Sequence, residues 1–244
     1  MRPFLFLAVR PEDGPADDEY AAMLRCTGLD EAHLRRVRLE RGPLGALDLD
    51  DWSGIVLGGG PFQSSDPEEG KSGVQRRVEA DLRALLDRVV PADFPFFGAC
   101  YGIGTLGTHE GAEVDRRYGE PAGGIEVTLT EQGRADPVLG IAPPAFGAFV
   151  GHKEAIATLP GHAVPLATSA LSPVQAFRVG TRVYATQFHP ELDVEGLVLR
   201  VTAYRDDGYF PSDELERVIA AARSSGITRP PNVLGRFVEL FARP

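Results

Sequence analysis

The chain has 244 residues, 43% of them hydrophobic, enough to bury a sizeable single core. A formal net charge of -10 gives no electrostatic footprint for nucleic acid and no basic surface for anionic lipid. With two cysteines, Cys26 and Cys100, there is no disulfide framework, and no stretch approaches the ~18 apolar residues a membrane span needs, so a cytoplasmic protein is expected.

Residues 4–9 (Phe-Leu-Phe-Leu-Ala-Val) are too short for a secretory h-region with its cleavage site and read as a buried first strand. Residues 11–18 read as an acidic loop, and 19–29 as a short helix with Gly28 near its end. Cys26 falls in that helix and reads as packing. Residues 34–40 alternate moderately and predict a second strand, unusual for its arginines. The apolar run Ile55-Val56-Leu57 is a third strand, stopped by Gly58-Gly59-Gly60-Pro61. Residues 62–73 are polar and acidic, a loop that could act as a lid. From 74 to 90, Val74, Val78, Leu82, Leu85, Leu86 and Val89 recur at helical spacing. Alternating strands and helices predict a parallel sheet covered on both faces, with ligands bound outside the carboxyl ends of the strands.

The organising stretch is Pro95-Phe96-Phe97-Gly98-Ala99-Cys100-Tyr101-Gly102. A buried strand ends in cysteine, glycines stand two residues to either side, and residues 103–110 can continue as helix. A nucleophile on so sharp a strand-to-helix turn needs small neighbours. A thiol at a helix N-terminus is also favoured as thiolate by the positive end of the dipole. Cys100 is therefore the candidate nucleophile. A base must reach it, and the base needs an orienting group. Gln187-Phe188-His189-Pro190-Glu191 offers both, because a carboxylate two residues beyond the histidine can hold one ring nitrogen while the other faces sulfur. Backbone N–H groups of Tyr101 and of the loop 58–61 can serve an oxyanion hole.

After residue 113 the texture changes. Short strands are predicted at 126–130, 146–150, 164–169, 174–179 and 183–188, forming a smaller antiparallel portion that leads back to the main sheet. Helices at 194–204, 214–225 and 233–243 close the chain. Tyrosines and phenylalanines at 204–210 and 237–241 read as packing. Gly70-Lys71-Ser72 is no phosphate loop, since its interior is acidic and Ser65 stands where the first glycine belongs. His33, His109 and His162 are scattered, so neither a metal site nor a cofactor is expected.

Gly-Gly-Gly-Pro (58–61), Gly-Ala-Cys-Tyr-Gly (98–102) and Gln-Phe-His-Pro-Glu (187–191), in this order and spacing, resemble the class I (triad-type) glutamine amidotransferases, most nearly the amidotransferase domain of GMP synthase. The resemblance covers roughly residues 50–195. It implies a three-layer, flavodoxin-like α/β fold with a mostly parallel central sheet. One domain over 1–244 is expected, with a core to about 204 and C-terminal helices over 213–243. It implies a triad of Cys100, His189 and Glu191, a γ-glutamyl thioester, and ammonia released to an acceptor on a separate synthase subunit. Gly59 or Gly60, with Tyr101, would hold the oxyanion. Gly151 and His152 stand where the family has a Ser-His stretch contacting substrate, and Gly104 where many members carry a substrate-binding glutamine. Those two glycines are expected to widen the pocket. They keep open a γ-glutamyl peptide or amine hydrolase on the same fold, beside a non-catalytic amidotransferase acting as a binding subunit.

Overall fold

A strand of five apolar residues, Phe4–Ala8 (β1), buries every side chain. Its period of two sends Phe4, Phe6 and Ala8 into one hydrophobic cluster and Leu5 and Leu7 into another. A strand buried on both faces must lie inside a sheet. The computed structural model, which describes residues 1–244, places it so. The remaining strands are β2 (Leu34–Arg38), β3 (Gly54–Leu57), β4 (Phe96–Ala99), β5 (Glu113–Asp115), β6 (Glu120–Leu129), β7 (Ala145–His152), β8 (Ala155–Thr158), β9 (Val164–Ser169), β10 (Ala176–Val179) and β11 (Val183–Thr186). The helices are α1 (Asp13–Thr27), α2 (Gly73–Val89), α3 (Tyr101–Glu110), α4 (Glu131–Ala135), α5 (Val194–Ala203), α6 (Leu215–Ser224) and α7 (Val233–Phe241).

Nine strands form one sheet in the order β2-β1-β3-β4-β11-β10-β9-β6-β7. The half from β2 to β11 is parallel, and β10, β9, β6 and β7 continue it antiparallel. Helix α2 packs Val78, Leu82, Leu85 and Leu86 on one face beside Ile103 and Leu106 of α3. Met23 of α1 and Val233, Leu234 and Phe237 of α7 cover the other face. A third cluster joins Phe149 of β7 to Leu197 and Val201 of α5 and Val218 of α6. The expected three-layer α/β fold with an antiparallel portion is therefore the one observed. Because β1, β3, β4 and β11 run parallel, their carboxyl ends emerge along one edge, and all the candidate motifs lie there.

Local differences have local causes. Helix α1 starts at Asp13, inside the segment expected to be a loop. Pro15 sits in its first turn, where no intrahelical N–H is needed, and Asp13 suits the dipole. Gly28 ends it at φ 71°, as its position suggested. Strand β2 lies at the sheet edge, which explains its arginines. Arg36 bonds Asp17 at 2.8 Å and Arg38 bonds Glu40 at 2.5 Å, charging an edge that would otherwise invite strand addition. The β5–β8 pair was not expected, being three and four residues long and too short to show a period.

The ring of Phe237 is wholly buried and meets Phe97 at 5.5 Å and Phe241 at 5.0 Å between centroids, with Phe4 and Tyr184 slightly further. Phe237→Ala should cost about 3–5 kcal/mol of unfolding free energy, read from urea titration monitored by circular dichroism. A loss under about 1 kcal/mol would mean that α7 is not part of the core.

Candidate functional site

Strand β4 ends against a helix with no intervening loop, and Cys100 absorbs the turn at φ 53°, ψ -96°. A non-glycine residue rarely takes a positive φ. The turn is closed so tightly that a Cβ on Gly98 would stand 2.8 Å from the backbone oxygen of Gly102. Cys100 N–H donates to the carbonyl of Thr186 at 2.8 Å, tying the Cys100 turn to the end of β11. Beyond β11, His189 N–H donates to the carbonyl of Phe149 at 3.0 Å and so fixes the histidine to β7.

His189 Nδ1 donates to Glu191 Oε1 at 2.9 Å, and both side chains are buried. A Cβ built on Gly59 would lie 2.7 Å from His189 Cε1 and 3.3 Å from Cys100 Cβ, so ring and thiol share one corner beside the glycine loop. Burial opposes a charged imidazole, but the Glu191 carboxylate and then the Cys100 sulfur outweigh it and push His189 up to about 9. Burial likewise opposes the Glu191 carboxylate. His189 and then Arg200 outweigh it and hold the group well below the usual carboxylate range.

Arg200 of α5 donates through Nη1 to the same Glu191 oxygen at 2.8 Å. It stands 3.1 Å from His189 Nδ1, but both nitrogens are donors toward that oxygen, so this is crowding and not a bond. A second carboxylate, Glu19 of α1, accepts from Arg10 Nε at 3.1 Å and from Gly59 N–H at 3.2 Å, and lies 3.9 Å from Arg200 Nη2. Two buried guanidinium groups and two buried carboxylates thus surround the histidine. Sequence reading missed Arg10, Glu19 and Arg200. Only Arg10 carried a usable signal, being charged at the carboxyl end of a fully apolar strand.

The other sequence-predicted residues divide. Gly60 N–H has no protein acceptor, while Gly59 N–H is taken by Glu19, so Gly60 and not Gly59 is the loop's open donor beside Tyr101. His152 has both ring nitrogens engaged: Nδ1 donates to the carbonyl of Glu154 at 2.7 Å, and Nε2 meets Glu120 Oε2 at 2.8 Å. Its ring is a strut and not a free ligand contact. The expectation that Gly104 and Gly151 widen the pocket is corrected. A Cβ at Gly104 would stand 2.8 Å from Glu154 Oε1, and one at Gly151 would stand 3.3 Å from Ala122 Cβ. Glu154 also accepts from the backbone N–H of Ser64 at 2.8 Å and Ser65 at 2.7 Å, which pins the segment expected to be a lid. Cys26 packs near the carbonyls of Pro190 and Glu191, and burial, then the Glu191 charge, pushes its thiol up to about 11, consistent with packing.

Two concavities meet at Cys100. One is walled by Tyr101, Gly104, Glu154 and Gln187. The other is walled by His189, Arg10, Arg200 and the apolar side chains of α5 and the segment after it. Tyr204, Tyr209 and Phe210, which read as packing, line this second cleft. No group of three His, Cys, Asp or Glu side chains is placed to hold a metal ion. No helix is long and apolar enough to cross a membrane.

Residues 31–196 match the family model described as glutamine amidotransferase class-I. The chain belongs to the class I glutamine amidotransferase family. Within that family it is 30% identical over 147 residues to one subunit of the glutamine-hydrolysing GMP synthase of Thermoplasma acidophilum, matching 60% of this chain and 66% of that one. It is 32% identical over 140 residues to the glutamine-hydrolysing GMP synthase of Aeropyrum pernix, matching 57% of this chain and 24% of that one. The fold is shared with a solved glutamine amidotransferase of Thermotoga maritima, at TM-score 0.77 and 19% identity, over 100% of both chains. It is also shared with one of Methylobacillus flagellatus, at TM-score 0.70 and 18% identity, over 100% of this chain and 97% of that one.

A ring whose proton is held to about pH 9 in the folded chain, against about 6.5 in the unfolded one, links stability to pH. The folded state binds the proton more tightly. The gain, on the order of 3 kcal/mol, is full below pH 6.5 and disappears as pH rises through 9. The stability difference between wild type and His189→Gln, from urea titrations, should therefore shrink between pH 6 and pH 9.5. A difference that grows over that window would mean the ring is buried neutral.

Proposed function

We propose that this amidotransferase hydrolyses the side-chain amide of glutamine through a thioester on Cys100 and hands ammonia to an acceptor on a separate subunit. The observation that carries the reading is the Cys100 turn, held in a positive-φ conformation at the corner occupied by the His189–Glu191 pair. In this mechanism the proton of the Cys100 thiol is held on His189 Nε2, the ring nitrogen that Glu191 does not hold, so that sulfur and ring form an ion pair before attack. Sulfur attacks the amide carbonyl. The developing oxyanion lies against the N–H groups of Gly60 and Tyr101, which need no reorganisation to receive it. The imidazolium then gives its proton to the departing nitrogen, and ammonia leaves. Water, deprotonated by the same ring, opens the thioester to glutamate.

Glu191 keeps the imidazole in the tautomer that presents Nε2, and Arg200 keeps Glu191 ionised. The glutamyl group fits the concavity beside Tyr101, Gly104 and Gln187. Gly151 backbone lines both clefts and is placed to meet the substrate's α-substituents, whereas the His152 ring holds the β6–β7 strands beneath. One amidotransferase domain over 1–244, working in the cytoplasm, fits a chain whose cysteines are both free. The reading of a separate acceptor is supported by relatives that are each named as one subunit of a GMP synthase.

The reading is tested on the purified chain. Incubation with a diazo-ketone analogue of glutamine should leave one covalent adduct, located by mass spectrometry at Cys100. Cys100→Ala should abolish glutamate release from glutamine, a loss of at least about 10³-fold. Glutamate release that survives this substitution would remove Cys100 from the chemistry.

A further inference from the structure

Proton delivery fixes where a leaving group must stand. In acyl transfer through Cys100 the oxyanion points to its N–H donors, and the departing nitrogen must face the group that protonates it. Gly60 lines both concavities at Cys100, and the remaining lining distinguishes them. Tyr101 lines one and His189 does not; His189 lines the other and Tyr101 does not. The second cleft is therefore the leaving-group side of the nucleophile.

Ammonia needs no such cleft. Its walls are Leu192, Leu197, Val201, Tyr204, Tyr209 and Phe210, and apolar walls recognise an apolar body. Two guanidinium groups also line it. Arg10 is 4% exposed and Arg200 5% exposed. Arg200 Nη1 is engaged by Glu191 and its Nε and Nη2 are enclosed by protein, whereas no carboxylate or carbonyl accepts from the Nη groups of Arg10, which stand beside the Tyr204 hydroxyl. Glu19 and Glu191 balance the two charges from behind, since neither lines the cleft. The Arg10 guanidinium therefore keeps donors for a ligand in the cleft. Buried donors without acceptors are costly unless a ligand or water satisfies them. An anionic group on the leaving amine meets that requirement.

Resting on the thioester reading above, we propose that this cleft is a leaving-group subsite for γ-glutamyl amino acids whose second residue is apolar or aromatic. Its side chain lies among Tyr204, Tyr209 and Phe210, and its carboxylate accepts from Arg10. The γ-glutamyl C–N bond breaks as the Cys100 S–C bond forms. The thiol proton, carried by His189, goes to the departing amino group. Water then cleaves the thioester, so the products are glutamate and the free amino acid, and no oxidant or second co-substrate is required.

The test compares kcat/KM of the purified chain on γ-glutamyl-L-phenylalanine, γ-glutamyl-phenethylamine and glutamine. The dipeptide should be turned over at least about tenfold better than glutamine, and the phenethylamide, which lacks only the carboxylate, should fall between them. Arg10→Gln should erase the advantage of the dipeptide over the phenethylamide. In case that variant fails to fold, Val201→Phe, which fills the cleft without touching a charge, should lower the ratio of dipeptide to glutamine turnover. Glutamine hydrolysis with no preference for the dipeptide would overturn the subsite and leave the thioester reading standing. Failure on all three substrates, with Cys100 unlabelled by the diazo-ketone, would overturn both.

Discussion

The backbone at Cys100 is the constraint from which the rest of the site follows. A non-glycine residue at φ 53°, ψ -96° is held at a cost of order 1–3 kcal/mol, so the surroundings must over-determine it. They do so from three directions. Strand β4 is locked between β3 and β11, α3 begins at the very next residue, and Cys100 N–H is bonded to the end of β11. Gly98 and Gly102 make the closure sterically possible. Relaxing the turn would swing the sulfur off the strand edge where the histidine and the glycine loop converge. The strain is therefore inseparable from the placement, and the parallel half of the sheet is what resists it.

The second dependence is electrostatic. His189, Glu191, Glu19, Arg10 and Arg200 are all at least nine-tenths buried. Removing one charge of such a set strands its partners in low dielectric, commonly at about 3–5 kcal/mol. The ordering of the bonds matters more than their number. Glu191 Oε1 receives both the imidazole and Arg200, while Oε2 has no partner. The arginine thus competes with the histidine for one oxygen. It stabilises the carboxylate and at the same time limits how far the carboxylate can stabilise an imidazolium. Glu19 spreads the same positive charge by bonding Arg10 and approaching Arg200. By accepting from Gly59 it also orients the glycine loop, so that Gly60 presents the open N–H. Loop geometry and histidine electrostatics are coupled through one carboxylate on α1.

What could be read from the chain divides along physical lines. The three motif segments were legible because each is local: an apolar strand, a glycine-bearing turn and a reactive side chain in sequence order. The doubly covered parallel sheet was legible because its strands are continuous apolar runs and α2 has a clean helical period. Glu19 and Arg200 were not, because a buried charge on a helix has no local signature and its partners lie on other elements; Arg10 alone was marked, by its place just past an apolar strand. His152 was expected to contact substrate, from its place in the stretch that resembles the family's Ser-His. Its ring is held instead by the carbonyl of Glu154 and by Glu120, which sits 32 residues earlier on β6 and is brought opposite by strand register. The early start of α1 was hidden by Pro15, which punctuates most helices but is tolerated in the first turn.

Gly104 and Glu154 show how a departure from a family pattern is absorbed. A side chain lost from α3 leaves space, and an empty polar space next to a nucleophile would fill with water. Here the carboxylate of Glu154, 6% exposed, enters from the turn after β7 and uses both oxygens on the N–H groups of Ser64 and Ser65. The loop after the glycine motif is thereby fastened on the side of the site away from His189. The cleft toward α5 draws part of its wall, Leu197, Arg200, Val201, Tyr204, Tyr209 and Phe210, from chain beyond the matched family region. Glu154 thus bounds one concavity at Cys100, and α5 bounds the other.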